Sequence, residues 1–420
     1  MTHLLPLALK SAWNRRYTLA LTLIAIALSV TLLLGIERLR QDARDSFAQA
    51  VSGTDLIVGA RSSPIQLLLY SVFRLGEATN NLGWDSARAL AGHPAVAWTI
   101  PISLGDSHHG FPVLGTTSAY FEHFRYGDKR LLAFAQGKPF IGLFDAVLGA
   151  EVARRLGYRL GDRITLVHGM EAHGLAEHGD KPFTVVGILA PTGTPVDRTV
   201  HVSLEALEAI HLDWQGGAPM PSLAIPPELV KKFDLTPKAV TAVLVGLKTR
   251  AGVFAMQRYV ANYRDEALMG VLPGVALSQL WDMMAMAEKA LLAVSAMVVA
   301  VSFAGLVAVV LAGLGERRRE LAILRSVGAR PVDLFALLAF EGAAVTLAAV
   351  VVGVVLLAVL SAAFGPWVQA HYGLDLSVAL PSGEELALLG WVVLVGTLAS
   401  LLPGWRAYRL SLADGLTPRV

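Results

Sequence analysis

Between two long apolar runs, 290–314 and 334–363, the chain carries Gly315-Glu-Arg-Arg-Arg-Glu-Leu-Ala-Ile-Leu-Arg-Ser-Val-Gly-Ala-Arg330-Pro. Each flanking run reaches the ~20 apolar residues that cross a bilayer. A charge-dense segment between two such runs must sit in water, and its arginines assign it to the cytoplasmic side. This pattern predicts an integral membrane protein with a compact basic element that a soluble partner can grip.

Two further apolar runs, 17–36 and 386–403, bring the predicted spans to four. The positive-inside rule tests that number. Lys10, Arg15 and Arg16 precede the first span; Arg317, Arg318, Arg319, Arg325 and Arg330 separate the second and third; Arg406, Arg409 and Arg419 follow the fourth. The loop between spans three and four has no Lys or Arg but has Asp375, Glu384 and Glu385. With four spans, every basic segment falls on one side and this acidic loop on the other. Ala48-Gln-Ala50 imitates a signal-peptide cleavage site, but the charged stretch 37–45 separates it from the apolar run.

The predicted fold class is thus a membrane protein of four transmembrane α-helices, with a large α+β extracytoplasmic domain inserted between the first and second. The expected map is a cytoplasmic N-terminal segment 1–16, a first span 17–37, an outer domain 38–285 with an outer subdomain at about 145–205, and a second span 286–314. A cytoplasmic coupling segment 315–334, a third span 335–363, a short outer loop 364–385, a fourth span 386–404 and a cytoplasmic tail 405–420 complete it.

Only 16% of residues are charged, against ~25% in a soluble protein. The net charge of +2 offers no basic field for nucleic acid. Cysteine is absent, which excludes disulfides, thiolate metal sites and cysteine nucleophiles.

Both ends of the outer domain carry helical periodicity. Leu39, Ala43 and Phe47 repeat after the first span; Leu277, Leu280, Met284 and Ala287 repeat before the second. They predict amphipathic extensions of the membrane helices, a stalk suited to transmit motion or simply packed on the domain. Within the domain, 97–104, 163–167, 183–189 and 240–247 predict strands, while 145–156 and 203–210 predict helices.

Four local patterns give the layout a resemblance. They are Glu316-Arg-Arg-Arg-Glu-Leu-Ala-Ile-Leu-Arg-Ser-Val-Gly-Ala-Arg330, Val147-Leu-Gly-Ala-Glu-Val-Ala-Arg-Arg-Leu-Gly-Tyr-Arg-Leu-Gly-Asp162, Phe183-Thr-Val-Val-Gly-Ile-Leu-Ala-Pro-Thr-Gly-Thr-Pro-Val-Asp-Arg198 and Pro403-Gly-Trp-Arg-Ala-Tyr-Arg-Leu-Ser-Leu-Ala-Asp-Gly-Leu416. Asp55-Leu-Ile-Val-Gly-Ala-Arg61 also fits. With one span, a large outer domain and three more spans, the chain resembles the MacB/FtsX-type permeases of ABC transporters. The resemblance covers nearly the whole chain. It implies a bacterial inner-membrane protein with cytoplasmic termini, working as a homodimer or with a sister permease. It further implies a separate nucleotide-binding ATPase subunit that supplies ATP and Mg, and movement of the outer domain by mechanotransmission. A periplasmic adaptor or binding protein is a further expected partner.

The coupling segment has its own physical logic. As a helix, it lines up Leu321, Leu324 and Val327 with Ile323 adjoining, flanked by Arg317, Arg318 and Arg325. Arg319, Glu316, Glu320 and Arg330 complete its charges. An apolar ridge with basic flanks suits a groove on an acidic-rimmed partner, or alternatively the surface of anionic membrane lipid; the resemblance favours the groove. Gly328 can end the helix and Pro331 prevents its immediate continuation.

Catalysis by this chain is not expected. A phosphate-cradling loop needs G-x-x-x-x-G-K-[ST], and here Gly137-Lys138 is followed by Pro139. The histidines of 168–178 form no HExxH, and His173 to Glu177-His178 has the wrong spacing for the inverse motif. Metal binding without catalysis is the chemistry they suit. His168, His173 and His178 with Glu171, Glu177 and Asp180 crowd nitrogen and oxygen ligands into one stretch, and His108 and His109 add a pair elsewhere. Imidazole and carboxylate suit Zn, Ni or Cu, so a zinc-related system is one expectation and an ordinary solvated hairpin tip the other. Glu341, near the start of the third span, requires a partner or a polar surface. Gly305, Gly313, Gly342 and Gly353 permit close helix approach, between subunits or within one. Two other classes share these features: a regulator of a periplasmic enzyme such as a cell-wall hydrolase, and a passive membrane-anchored metal sensor.

Overall fold

The computed structural model describes residues 16–50, 52–76, 80–169, 178–215, 218–219, 225–326, 330–372, 376 and 378–409. Among the described residues, four helices are long and apolar enough to cross a membrane. They are α1 (Arg16–Gln49), α4 (Pro273–Ser326), α5 (Pro331–Tyr372) and α6 (Gly383–Arg409). The chain divides into two compact units, one of 1–42, 285–369 and 376–420, the other of 43–284 and 370–375.

The helical unit is held by a core of Ile26, Val30, Leu34, Phe303, Leu306, Ala349, Val350, Leu389 and Val392. Without a hydrophobic driving force in lipid, helices associate through close packing and internal hydrogen bonds. Both are present. A Cβ on Gly353 would meet the Ala27 carbonyl at 2.8 Å, and one on Gly342 would meet the Ser400 side chain. These two glycines therefore serve packing within the subunit, whereas a Cβ on Gly305 meets nothing within 4 Å. Ser29 and Ser302 hydroxyls lie 2.6 Å apart. At one end of the unit Arg38 forms a two-pronged pair with Glu385, Nε to Oε1 at 3.1 Å and Nη2 to Oε2 at 3.0 Å. The Ser382 amide donates to the same carboxylate at 2.8 Å. Nearby Glu37 accepts from Arg40 and Gln41. Glu385 reads in the sequence only as part of an acidic loop; the structure makes it the partner of a buried arginine. Removing one member of such a pair costs about 3–5 kcal/mol.

The other unit is built on a mixed sheet of eleven strands. In chain order they are β1 (Leu56–Ala60), β2 (Val96–His108), β3 (Phe111–Thr116), β4 (Phe134–Gly137), β5 (Asp145–Leu148), β6 (Arg163–Ile164), β7 (Val167–His168), β8 (Phe183–Leu189), β9 (Val200–Ser203), β10 (Ala242–Leu247) and β11 (Leu268–Val271). The main path runs β11-β1-β10-β2-β3-β9-β5-β8-β4, with β7 added to β2 and β6 to β8. The β3–β9 and β5–β8 pairs are parallel. Alternation along β10 sends Val243 and Val245 to one apolar cluster, and Ala242 and Leu244 to another on the opposite face.

Two expectations change in detail. The run 163–167 is not one strand: its ends belong to β6 and β7, which pair with β8 and β2 respectively. The segment 145–156 does not form one helix: Asp145–Leu148 is a strand, and α2 (Ala150–Leu156) starts only after Gly149. Ala146, Val147 and Leu148 are wholly buried between two neighbouring strands, and a short apolar run has no period that separates strand from helix. Gly149 explains why two of the sequence motifs occur together. A Cβ there would meet the backbone oxygens of Val196 and Asp197 at 2.3 and 2.4 Å. The Asp197 carboxylate in turn accepts from the amides of Thr192 and Gly193. The first motif's turn is thus seated directly on the second motif's loop.

The stalk residues lie on continuous helices. α1 runs to Gln49, and Phe47 stacks near Phe73 and Trp281, with centroids at 4.3 and 5.5 Å. Leu277 is buried and Leu280 packs on the same core, but Leu39, Met284 and Ala287 are exposed. The apolar stripe is therefore only partly used within the chain.

Candidate functional site

Among its described residues the outer unit gathers one group of nitrogen and oxygen donors: Asp106, His168, His178 and His211. Sheet pairing begins it. β7 lies antiparallel to the end of β2, with His168 directly opposite Asp106 and Val167 opposite Ser107. Facing residues on paired strands hold their side chains within reach, and His168 Nδ1 lies 3.0 Å from Asp106 Oδ1. The Gly169 amide donates to the Gly105 carbonyl at 2.9 Å, which fixes the strand end. The returning chain then comes back alongside, its His178 amide donating to the Leu166 carbonyl at 2.9 Å.

The fourth member arrives from a helix. α3 (Leu204–Ile210) starts at Ser203, whose hydroxyl accepts from the Ala206 amide, a standard N-cap. His211 is its C-cap, and its Nδ1 lies 2.8 Å from the Leu207 carbonyl one turn back. A carbonyl only accepts, so Nδ1 carries a proton, and in the neutral ring it is Nε2 that holds the lone pair. That Nε2 lies 3.2 Å from His168 Nδ1 and 3.6 Å from Asp106 Oδ1. A wholly buried Lys181 ties the two halves together, with Nζ 2.8 Å from Asp213 and 2.6 Å from Asp180. Trp214 forms a wall, its ring 4.7 Å from that of His178, 5.0 Å from His168 and 5.1 Å from His211.

Electrostatics sort the imidazoles. The hydrogen bond that His168 donates to the Asp106 carboxylate raises the pKa of His168 above the usual value, against the opposing effect of burial. Burial pushes His178 down to about 4, helped by the neighbouring His211. His178 is therefore neutral at physiological pH, the form that binds metals.

The sequence-predicted residues separate here. His168 and His178 enter the cluster. Glu171, His173 and Glu177 lie outside the described residues. His108 and His109 are not part of it. His108 is a core histidine with Nδ1 2.6 Å from the Thr165 carbonyl and Nε2 3.0 Å from the Tyr158 hydroxyl, while His109 is exposed against its ring. Asp106 and His211 have no sequence signal. They stand 62 and 43 positions from His168, and only strand pairing and the α3 cap bring them in.

The coupling segment falls at the end of α4, which is helical through Ser326 and so includes Glu316, Arg317, Arg318, Arg319, Glu320, Leu321, Leu324 and Arg325. Gly328 lies outside the described residues. Arg330 precedes α5, and its amide donates to the Asp333 carboxylate at 2.8 Å, capping the helix that opens at Pro331. Glu341 is half-buried on α5.

A multi-pass membrane protein with an α+β domain between its first and second spans, and a basic segment between the second and third, defines a class of transporter permease. Residues 19–251 match the family model for the MacB-like periplasmic core domain, and 292–412 match that for the FtsX-like permease C-terminal domain. The first match alone takes more than half of the chain, which therefore belongs to the MacB/FtsX-type permease family of ABC transporters. No curated protein matches the chain. Among solved structures, the periplasmic region of MacB from Actinobacillus actinomycetemcomitans is 10% identical over 56% of this chain and 94% of its own, with a TM-score of 0.33. The extracellular domain of the noncanonic ABC-type transporter YknZ from Gram-positive bacteria is 14% identical over 52% of this chain and 99% of its own, with a TM-score of 0.30.

Proposed function

We propose that this chain is the force-transmitting membrane subunit of an ABC assembly. A separate ATPase grips residues 316–330 from the cytoplasm, where both termini also lie. Nucleotide-driven closure of that partner moves α4 and α1, and the outer domain responds by engaging and releasing cargo or a periplasmic partner. The subunit works as a homodimer or beside a sister permease.

One observation carries this reading. α4 is a single helix of 54 residues that begins at Pro273 among outer-domain residues, contains the whole second span and ends in the basic segment. A continuous helix has every internal backbone hydrogen bond made, so displacement at one end is cheaper to pass along than to absorb. In the sequence Leu321 and Leu324 stand three apart among arginines, the pattern this reading takes as the handle.

The test is co-purification with the ATPase. Leu321→Asp combined with Leu324→Asp is expected to abolish pull-down of the nucleotide-binding subunit while leaving membrane insertion intact. Unchanged pull-down would remove the handle from this segment.

A further inference from the structure

We propose that Asp106, His168, His178 and His211 form a binding site for a divalent first-row transition-metal ion, zinc foremost, on the outer domain of this permease. The inference stands apart from ATPase coupling, since it concerns one unit alone.

The donor set comes first. Three imidazole nitrogens and one carboxylate oxygen, with no thiolate, suit zinc, and also copper or nickel; calcium and magnesium prefer all-oxygen shells. Spacing comes next. Four ligands at zinc bond lengths of ~2.0–2.1 Å in tetrahedral array stand about 3.3 Å from one another. Here the separations are 3.0 Å (His168 Nδ1 to Asp106), 3.2 Å (His168 Nδ1 to His211 Nε2), 3.6 Å (His211 Nε2 to Asp106) and 4.0 Å (His178 Nε2 to Asp106). All four donor atoms lie within 4.8 Å of one another. Small side-chain rotations close that set around one ion.

The independent observation is His178. Its side chain is 1% exposed, yet Nε2 has no hydrogen-bond partner among the described residues. Leaving a buried polar atom unsatisfied carries its full desolvation penalty. A plain hydrogen-bonded cluster accounts for His168 with Asp106 but gives His178 Nε2 nothing. A cation accounts for all four. The outer contacts of the cluster fit as well: the Leu207 carbonyl fixes the His211 tautomer so that its lone pair faces inward, as metal-bound histidines require. Lys181 and Trp214 hold the supporting segments, and the lysine's charge is matched by Asp180 and Asp213.

The burial pattern says what kind of site this is. Asp106 and His178 form a closed floor, at 4% and 1% side-chain exposure, while His168 and His211 form a rim open to solvent, at 40% and 29%. A structural zinc site is sealed. A buried floor with an accessible rim instead admits and returns an ion, so the site is one for exchangeable metal.

The test uses the full-length chain in detergent, with Co²⁺ as spectroscopic probe and Zn²⁺ in competition. The expected result is one equivalent of Co²⁺ with the visible absorption of four- or five-coordinate nitrogen and oxygen ligation, displaced by Zn²⁺. His211→Ala is expected to weaken zinc about 100-fold, although His211 is remote in sequence from the histidine-rich stretch. His109→Ala is expected to leave it unchanged. Should His211→Ala fail to fold, Asp106→Asn, which preserves shape, decides the matter through the same shift in Co²⁺ spectrum and zinc affinity. Absence of zinc binding at micromolar concentration in the wild type would overturn the proposal. So would unchanged affinity in a folded His211→Ala or Asp106→Asn chain, which would assign the metal to the 170–177 stretch alone. Intact ATPase pull-down in any of these variants leaves the coupling reading untouched, so the two fail separately.

Discussion

Two histidines of the outer unit are equally buried and chemically opposite. His108 is 2% exposed and His178 1%. Both ring nitrogens of His108 are taken, by the Thr165 carbonyl and the Tyr158 hydroxyl. His178 presents a bare Nε2 to a carboxylate and two other imidazoles. Burial therefore does not separate a structural histidine from a ligand; a count of partners does. A third histidine sharpens the rule. His201 is fully buried and its Nε2 is also unpartnered, but it stands against Tyr120 and Phe121 rather than beside other donors. A lone pair marks a metal site only where further donors share its space.

The widest gap expected between these residues is in metal affinity. His178→Ala should lower zinc affinity about 100-fold or more in Co²⁺ competition, and His108→Ala should not change it; equal losses would erase the distinction. Zinc at 100 times its Kd should then stabilise the wild-type outer domain against urea by about 2.7 kcal/mol, and at the same concentration His211→Ala by only about 0.4 kcal/mol. In the absence of metal the order reverses. His108→Ala, which gives up two buried hydrogen bonds and its packing, should destabilise the chain by about 2 kcal/mol.

His201 provides a pH test of the same partition. Burial, with the positive Arg74 nearby, pushes its pKa down to about 3, well below the ordinary histidine value of about 6.5. The folded state therefore refuses a proton that the unfolded state accepts. Stability from this group is complete above pH ~6.5 and falls by about 1.4 kcal/mol per pH unit as pH drops from there toward 3. His201→Phe should flatten the pH dependence of the unfolding midpoint by one proton's worth; an unaltered slope would mean the imidazole is not held neutral. The smallest effect belongs to exposed His109, whose replacement by Ala should stay within about 0.5 kcal/mol.

What the sequence discloses follows the reach of its signals. Apolar runs and arginine asymmetry act over tens of contiguous residues, so all four spans and the inserted domain are legible. His168 and His178 are legible because they stand in one stretch. Asp106 and His211 are not, since the first is one polar residue in a long strand and the second a helix cap that any sequence can supply. Only the β2–β7 register and the α3 end make them neighbours. Segment 145–148 misleads for the opposite reason: a strand buried on both faces has no alternation to betray it. The Arg38–Glu385 pair is invisible because charged residues at span ends ordinarily advertise orientation, not each other.

That pair also sets a timetable for biogenesis. Arg38 and its acidic partner are 347 positions apart. At ~5–20 residues per second, the ribosome takes about 20 to 70 seconds to travel from one to the other. Throughout that interval Arg38 is without the Glu385 carboxylate that pairs with it in the folded chain. That pairing forms only when the last helix arrives, so the contact made by the first helix is completed by the final one to be synthesised.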